Sequence, residues 1–498
     1  MMEILNWFAQ AAMKLVASLN GLLWGDLIVL DFSGGETQFG VSLLVLILVF
    51  GGIYFTVRTR FLPFRMFPEM VRVTLEKKTS GDKDSISGVQ ALIVATATRV
   101  GMGNLAGVVA AVSIGGAGAV FWMWVTALLG SASAFVESTL AQIYKEKDPL
   151  YGGYRGGPAY FMKRMHLITK IKRDDVFSKE SEDADYVSSD GRSRYTKGCR
   201  YMLLGMAFAL SGLLCWAGIS QIIANSVTSS FKNAFGIPQI VTTTVLVAFA
   251  AVIVMRKKAT VKVLDRIVPI MACAYLAITL FVIFKNIAYL PSVIGNIFSQ
   301  AFGFRQVAGG GIGVVVMNGV KRGVFSNEAG SGSAPCAAAA ADVRHPVSQG
   351  LIQALGVFID TLVICSCSAF LMLLAPESVI GGLVGMDLLQ AAMGYHLGQF
   401  GVIFIAVILF LFCFSTFLGI LYYARCNVAY VFGDTWAAQN GYKIFALAML
   451  FIGGMAAYEF VWELGDLGVG LMTIFNMMAV VPLSSQAIAA LRDYELNH

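Results

Sequence analysis

What this 498-residue chain has least of is charge: Asp, Glu, Lys and Arg together make up 13% of it. A soluble chain covers itself with such groups, because apolar atoms already supply about half of an ordinary exterior. Here 57% of residues are hydrophobic and the mean hydropathy is +0.73, so the excess apolar surface has to face lipid. Histidine is also scarce, with four scattered residues, which leaves a metal-dependent membrane enzyme little to build with. The eight cysteines form no CxxC pair. Cys215, Cys273, Cys365, Cys367 and Cys413 fall in apolar runs and read as small buried hydrophobes.

No apolar run alternates as the strands of a membrane barrel do, so helices remain as the way to satisfy the backbone within a bilayer. FGVSLLVLILVFGGIYFTV (39–57) alone is long enough to cross roughly 30 Å of hydrocarbon. The start of the chain lacks the cationic end and cleavage site of a signal peptide. Residues 3–24 read instead as an amphipathic helix on a membrane face. Eleven spans follow, near 39–57, 88–113, 117–143, 201–225, 238–255, 267–288, 307–340, 348–374, 399–423, 441–460 and 465–490. With 58–87 in the cytoplasm, four of the 36 Lys and Arg lie outside and three within the membrane, leaving 29 inside. The positive-inside tendency therefore predicts an inner-membrane protein with its N-terminus outside and C-terminus in the cytoplasm. The same loops account for the net +6, so nucleic acid is not an expected partner. The segment 170–198 is polar and of mixed charge, and reads as a mobile cytoplasmic insert.

Leaving aside the first span, ten remain in two groups of five. An odd group size inverts the second group relative to the first. Both lead spans carry a Gly-rich polar interruption, RVGMGN (99–104) and KRGVFSNEAGSGSAP (321–335). Matched interruptions in inverted halves are a pointer to a transporter's binding site. Unwinding bares N–H and C=O groups at membrane depth, which is tolerable only if something occupies them. Free amides at a half-helix N-terminus suit a carboxylate, and bared carbonyls suit a cation or an ammonium. A zwitterion with Na⁺ fits both sets. The competing reading is that these glycines merely let helices pack closely.

ATRVGMGNLAGV (97–108), YRGGPAYF (154–161), RGVFSNEAGSGSAP (322–335), FIDTLVIC (358–365) and FCFSTFLG (412–419) together resemble the signature segments of the alanine or glycine:cation symporter family. The resemblance spreads over about 90–430. It implies an all-α polytopic membrane protein of the leucine-transporter-type fold. One leading helix (39–57) precedes two five-helix repeats at 86–288, with the 144–200 insert, and 307–490. Residues 1–38 form an outer-face segment and 491–498 a cytoplasmic tail. The resemblance further implies that the amides of Met102 and Gly103 hold a substrate carboxylate, with Phe325, Ser326, Asn327, Glu328 and Ala329 receiving its ammonium. Ile223 and Ile420 would border its side chain. For sodium it implies the carbonyls of Ala97 and Val100 with the hydroxyls of Ser415 and Thr416, and Asn104 in support. Those hydroxyls could instead bond back to their own helix. The chain departs from the family's usual residues at Met102, Ile223, Ser331 and Ile420, which bears on side-chain selectivity.

Six charges, Arg99, Glu137, Lys321, Arg322, Glu328 and Asp360, fall within spans and should face the interior. Arg99 or Arg322 could latch against Glu328 or Asp360 as a gate, or the charges could simply pair. The expectation is a sodium-coupled symporter importing a small alanine- or glycine-like amino acid by alternating access. It is not an enzyme, needs no cofactor and no metal beyond Na⁺, and works as a monomer among lipids. A different or larger substrate, or proton coupling through Glu328, keeps the same fold. A channel would want a polar pore or charged rings, and neither is visible.

Overall fold

The computed structural model describes residues 2–31, 38–76, 85–165, 191–256, 259–303 and 311–497, so most of the polar insert read at 170–198 lies outside the described residues. Helix α1 (Met2–Trp24) leads into an antiparallel pair, β1 (Asp26–Asp31) with β2 (Gln38–Ser42). Ser42 then caps α2 (Leu43–Arg58), its Oγ accepting the Val45 amide at 3.2 Å. After a short amphipathic helix, α3 (Phe67–Thr74), comes α4 (Gly88–Thr98). Its start is fixed by a capping box, in which Ser87 and Gln90 satisfy each other's amides at 3.0 and 3.1 Å.

The helices that follow include α5 (Val108–Gly115), α6 (Gly118–Ile143), α7 (Gly191–Phe235), α8 (Gln239–Val254) and α9 (Ala259–Lys285). They continue as α10 (Ile312–Asn327), α11 (Pro335–Ala338), α12 (Pro346–Leu373), α13 (Gln399–Phe432), α14 (Trp436–Met455) and α15 (Tyr458–Asn497). Among the described residues, seven helices are long and apolar enough to cross a bilayer, and α2 and α8 are shorter apolar helices. The protein is thus an all-α polytopic membrane protein.

The helices are not equivalent. The most apolar stretch of Gly88–Gly115 is 83% buried within the protein and that of Pro346–Leu373 is 78%, against 28% for Val263–Lys285. The first two form the centre of the bundle, whereas α9 turns Ile270, Leu280, Phe281 and Phe284 outward to lipid. α7 runs ten residues past its expected end at 225, because SVTSSFKNAF (226–235), though largely polar, holds no helix breaker. It stops where Gly236 takes a left-handed φ of 67° and Pro238 follows.

Backbone contact sets how closely α7 and α15 approach. A methyl group on Gly218 would stand 2.6 Å from the Gly465 nitrogen, and one on Gly468 would stand 2.3 Å from Cys215 Cα. Overpacking of this kind costs about 1–3 kcal/mol or more when backbone must move. Gly468→Val is therefore expected to lower the melting temperature of the purified protein sharply. Gly295→Ala, in an open position of the 290–301 helix, should leave it unchanged or raise it.

Candidate functional site

The first break lies where the sequence places it. After Thr98 the chain widens over Arg99–Gly107, and Val100 (φ −75°, ψ 73°) and Gly101 (φ −155°, ψ −135°) leave the helix altogether. Every residue from Ala97 to Ala111 is buried, so the freed peptide groups have to find partners in protein. The Gly101 amide donates to Asn104 Oδ1 at 2.9 Å and the Met102 amide to Thr416 Oγ1 at 3.1 Å. Gly101 also has no room for a side chain, since a methyl there would lie 1.9 Å from Thr416 Oγ1.

The second break starts later than expected. Lys321–Asn327 continue α10, and the chain turns only at Glu328, which takes the left-handed conformation (φ 60°), followed by Gly330 (φ 88°) and Gly332 (φ 81°). The turn belongs to the residues with positive φ; Gly323, read as part of the break, stays helical against Thr126. Ala329 N donates to Asn327 Oδ1 at 3.0 Å, and the Ser331 hydroxyl returns to the Glu328 carbonyl at 2.8 Å. Tyr423 donates to Glu328 Oε2 at 3.2 Å and shares a 2.7 Å bond with Thr98. From α15, Asn476 Nδ2 donates both to the Gly330 carbonyl at 3.0 Å and to Glu137 Oε1 at 2.9 Å. The GGP turn of YRGGPAYF braces the loop from the other side. Gly157 (φ 120°) abuts Cys336 of α11, and Pro158 abuts Gly332.

The two breaks meet. A methyl on Gly103 would lie 3.0 Å from Ser326 Cα and 3.4 Å from the Phe325 carbonyl oxygen, and the last carbonyls of α10 have no partner within their own helix. Asn104 Nδ2 reaches Asp360 Oδ1 at 2.8 Å, and Ser326 Oγ and Thr361 Oγ1 reach Asp360 Oδ2 at 3.0 and 2.7 Å. On α13, Ser415 and Thr416 both point at the Ala97 carbonyl, each at 3.3 Å, and both also bond back to Phe412 O at 2.9 Å. Phe325 packs at a tilt against Trp462 of α15, with 5.1 Å between ring centroids. Ile420 is buried next to Gly419, which fits against Thr98, and Ile223 is buried on α7.

The charges pair differently from the expectation. Arg322 meets neither Glu328 nor Asp360. Its partner is Asp466 of α15, at 2.8 and 3.1 Å, and its guanidinium lies 4.1 Å from the Trp462 ring centroid. The reason is reach: Arg322 sits more than a turn before the break, on the stretch of α10 facing α15. Arg99 is fully buried, donates to the Gln353 carbonyl at 3.2 Å, and interacts electrostatically with Glu137, Glu328 and Asp360. Asp466, Trp462, Asn476 and Tyr423 belong to no motif that marks them in the sequence. Asp466 was the one most open to discovery, as a carboxylate in the apolar run WELGDLGVGLM (462–472).

The bundle is polytopic and holds two broken helices among its buried elements. The family model described as "Sodium:alanine symporter family" matches residues 32–498, and the chain belongs to that family. It is accordingly a sodium-coupled symporter of a small amino acid and not an enzyme. Among its relatives is the "Probable sodium/glutamine symporter GlnT" of Bacillus subtilis, 41% identical, with 96% of this chain and 90% of the relative covered. The "Amino-acid carrier protein AlsT" of the same organism is 40% identical, over 91% and 89% of the two chains. The "Sodium/alanine symporter AgcS" of Methanococcus maripaludis is 33% identical, over 97% of each.

Asn476 is what satisfies both the loop carbonyl and the Glu137 carboxylate. Replacing it by Leu strands two buried acceptors, at about 1–3 kcal/mol each. Asn476→Leu should lower the melting temperature by several degrees, with Asn476→Gln closer to wild type.

Proposed function

We propose that the amino acid and a sodium ion bind at the junction of the two breaks, and that the protein works by alternating access. The carboxylate would approach the first break at Gly103 and the ammonium the carbonyls of Phe325, Ser326 and Asn327, with Glu328 and Ala329 holding the turn. The observation that carries this reading is the approach of Gly103 to the last turn of α10, which sets the first break against the carbonyl end of the helix that leads into the second. The Met102 amide has a partner in Thr416, so it would serve the carboxylate only by exchanging that bond.

Sodium would sit among the oxygens of Ala97, Val100, Ser415 and Thr416. Two oxygens held about 2.4 Å from one hard cation, at right angles, lie about 3.4 Å apart. The 3.3 Å spacing from the Ala97 carbonyl to each hydroxyl suits such sharing. Asn104, bound to the buried Asp360, would support the ion or the substrate.

We further read the architecture as the leucine-transporter type, with one leading helix and two inverted five-helix repeats at 86–288 and 307–490. Eleven spans then place the N-terminus outside and the C-terminus inside. The supporting pattern is that each repeat opens with a broken helix, α4–α5 and α10–α11, and that its third helix, α7 or α13, is long, at 45 and 34 residues. One chain carries every element of the site, so a monomer suffices. On this orientation the Arg322–Asp466 pair lies outward of the breaks and acts as the outer gate, in place of a latch to Glu328 or Asp360.

Uptake into proteoliposomes at varied Na⁺ tests the ion site. Ser415→Ala and Thr416→Ala should each raise the Na⁺ concentration for half-maximal uptake about tenfold, the worth of one lost ligand bond to a charge. Unchanged Na⁺ dependence in both variants would remove the site from α13.

A further inference from the structure

The cluster that joins α10 to α15 has a third member. Lys321 Nζ meets Asp466 Oδ2 at 2.7 Å, so one buried carboxylate holds two adjacent cations. Each cation also lies on a tryptophan: Arg322 on Trp462 at 4.1 Å, and Lys321 on Trp24 at 5.3 Å. Trp24 is the last residue of α1. Its Nε1 donates to the main-chain oxygen of Asp466 at 3.1 Å, and Asn20, one turn earlier, donates to the Glu463 carbonyl at 2.8 Å and to its Oε2 at 2.5 Å.

Between Met13 and Trp24, the burial of α1 lies at this end. From Met13 onward only Asn20, Leu23 and Trp24 are buried, while Met13, Leu15, Leu19 and Leu22 are exposed and apolar. A helix of this kind rests its apolar side in the membrane interface. The chain that follows reaches α10 itself, with Gly40 of β2 against Gly313 so closely that a methyl there would stand 2.7 Å from the Gly40 nitrogen. The N-terminal segment therefore holds the outer stretch of α15 at one end and that of α10 at the other.

We propose that this segment is a strap across the outer gate, and that Trp24 is the positioning residue that keeps Asp466 and Lys321 together in the closed state. The proposal rests on the reading of Arg322–Asp466 as that gate. Trp24 fixes the main chain beneath the carboxylate and covers the cation that the carboxylate shares. Opening the gate then requires Trp24 to release both contacts, so the strap biases the carrier toward the outward-closed state.

Distances between spin labels at Gly311→Cys and Ala457→Cys, on a background without native cysteines and in nanodiscs, read the separation of α10 and α15. Asp466→Asn should increase the fraction of the longer distance about threefold or more, as loss of a contact made only in one state shifts its population. Trp24→Ala should do the same, and the double variant should add little to Asp466→Asn alone. Asn20→Ala should give a smaller rise, and serves as the test if Trp24→Ala fails to fold. If Asp466→Asn opens the pair but Trp24→Ala or Asn20→Ala lowers only the melting temperature, the strap is overturned and the gate stands. Full additivity in the double variant also overturns it, since Trp24 would then act elsewhere. If Asp466→Asn leaves the distances unaltered, the gate reading fails and the strap falls with it.

Discussion

A peptide group opened in the middle of a bilayer has no water to turn to, and this constraint organises the structure around its two broken helices. Peptide groups at the breaks are matched by donors and acceptors from the same segment or from another helix. Thr416 takes the amide of Met102, Asn104 that of Gly101, and Asn476 supplies the Gly330 carbonyl. α13 and α15, which furnish Thr416 and Asn476, and α12, whose Asp360 holds Asn104, are accordingly drawn in around the breaks. A site satisfied by exchangeable polar contacts is also one from which a carboxylate, an ammonium or a desolvated cation can take over a contact without a bare dipole being left behind. That is the physical link between holding the fold together and letting a cargo in and out.

The buried charges follow the same rule. Asp466 holds Lys321 and Arg322, Glu137 leans on Asn476, and Glu328 on Tyr423. Breaking one partner of such a pair is costly because the other remains stranded, whereas separating whole helices into a wetted cleft rehydrates both. Pairs that join two helices across the bundle are therefore suited to switching between two arrangements, and those that tie a loop to its own neighbours are suited to rigidity.

Much of this was legible from composition and punctuation. The first break is legible because Val100 and Gly101 lie between two good helical stretches, and a glycine-rich polar hexapeptide inside an apolar run has few other uses. The second was misplaced by seven residues at its start. KRGVFSN looks unsuited to a membrane helix, yet its charges find Asp466 and its glycine packs on Thr126, so tertiary partners override local propensity. The turn itself falls on Glu328, whose left-handed backbone nothing in its side chain announces. The partner of Arg322 was missed because Asp466 lies near a predicted span boundary, where a carboxylate is unremarkable. Pairings between helices 144 residues apart in sequence are set by packing that no local pattern encodes.

The central claim is that the peptide groups at the junction of the breaks hold the cargo. Hydrogen–deuterium exchange of the purified protein, with and without Na⁺ and the amino acid it transports, tests this most directly. Slower exchange in segments 99–107 and 325–334 together, only when both ligands are present, is the predicted result. Ligand-dependent protection elsewhere, with both segments unchanged, would contradict it.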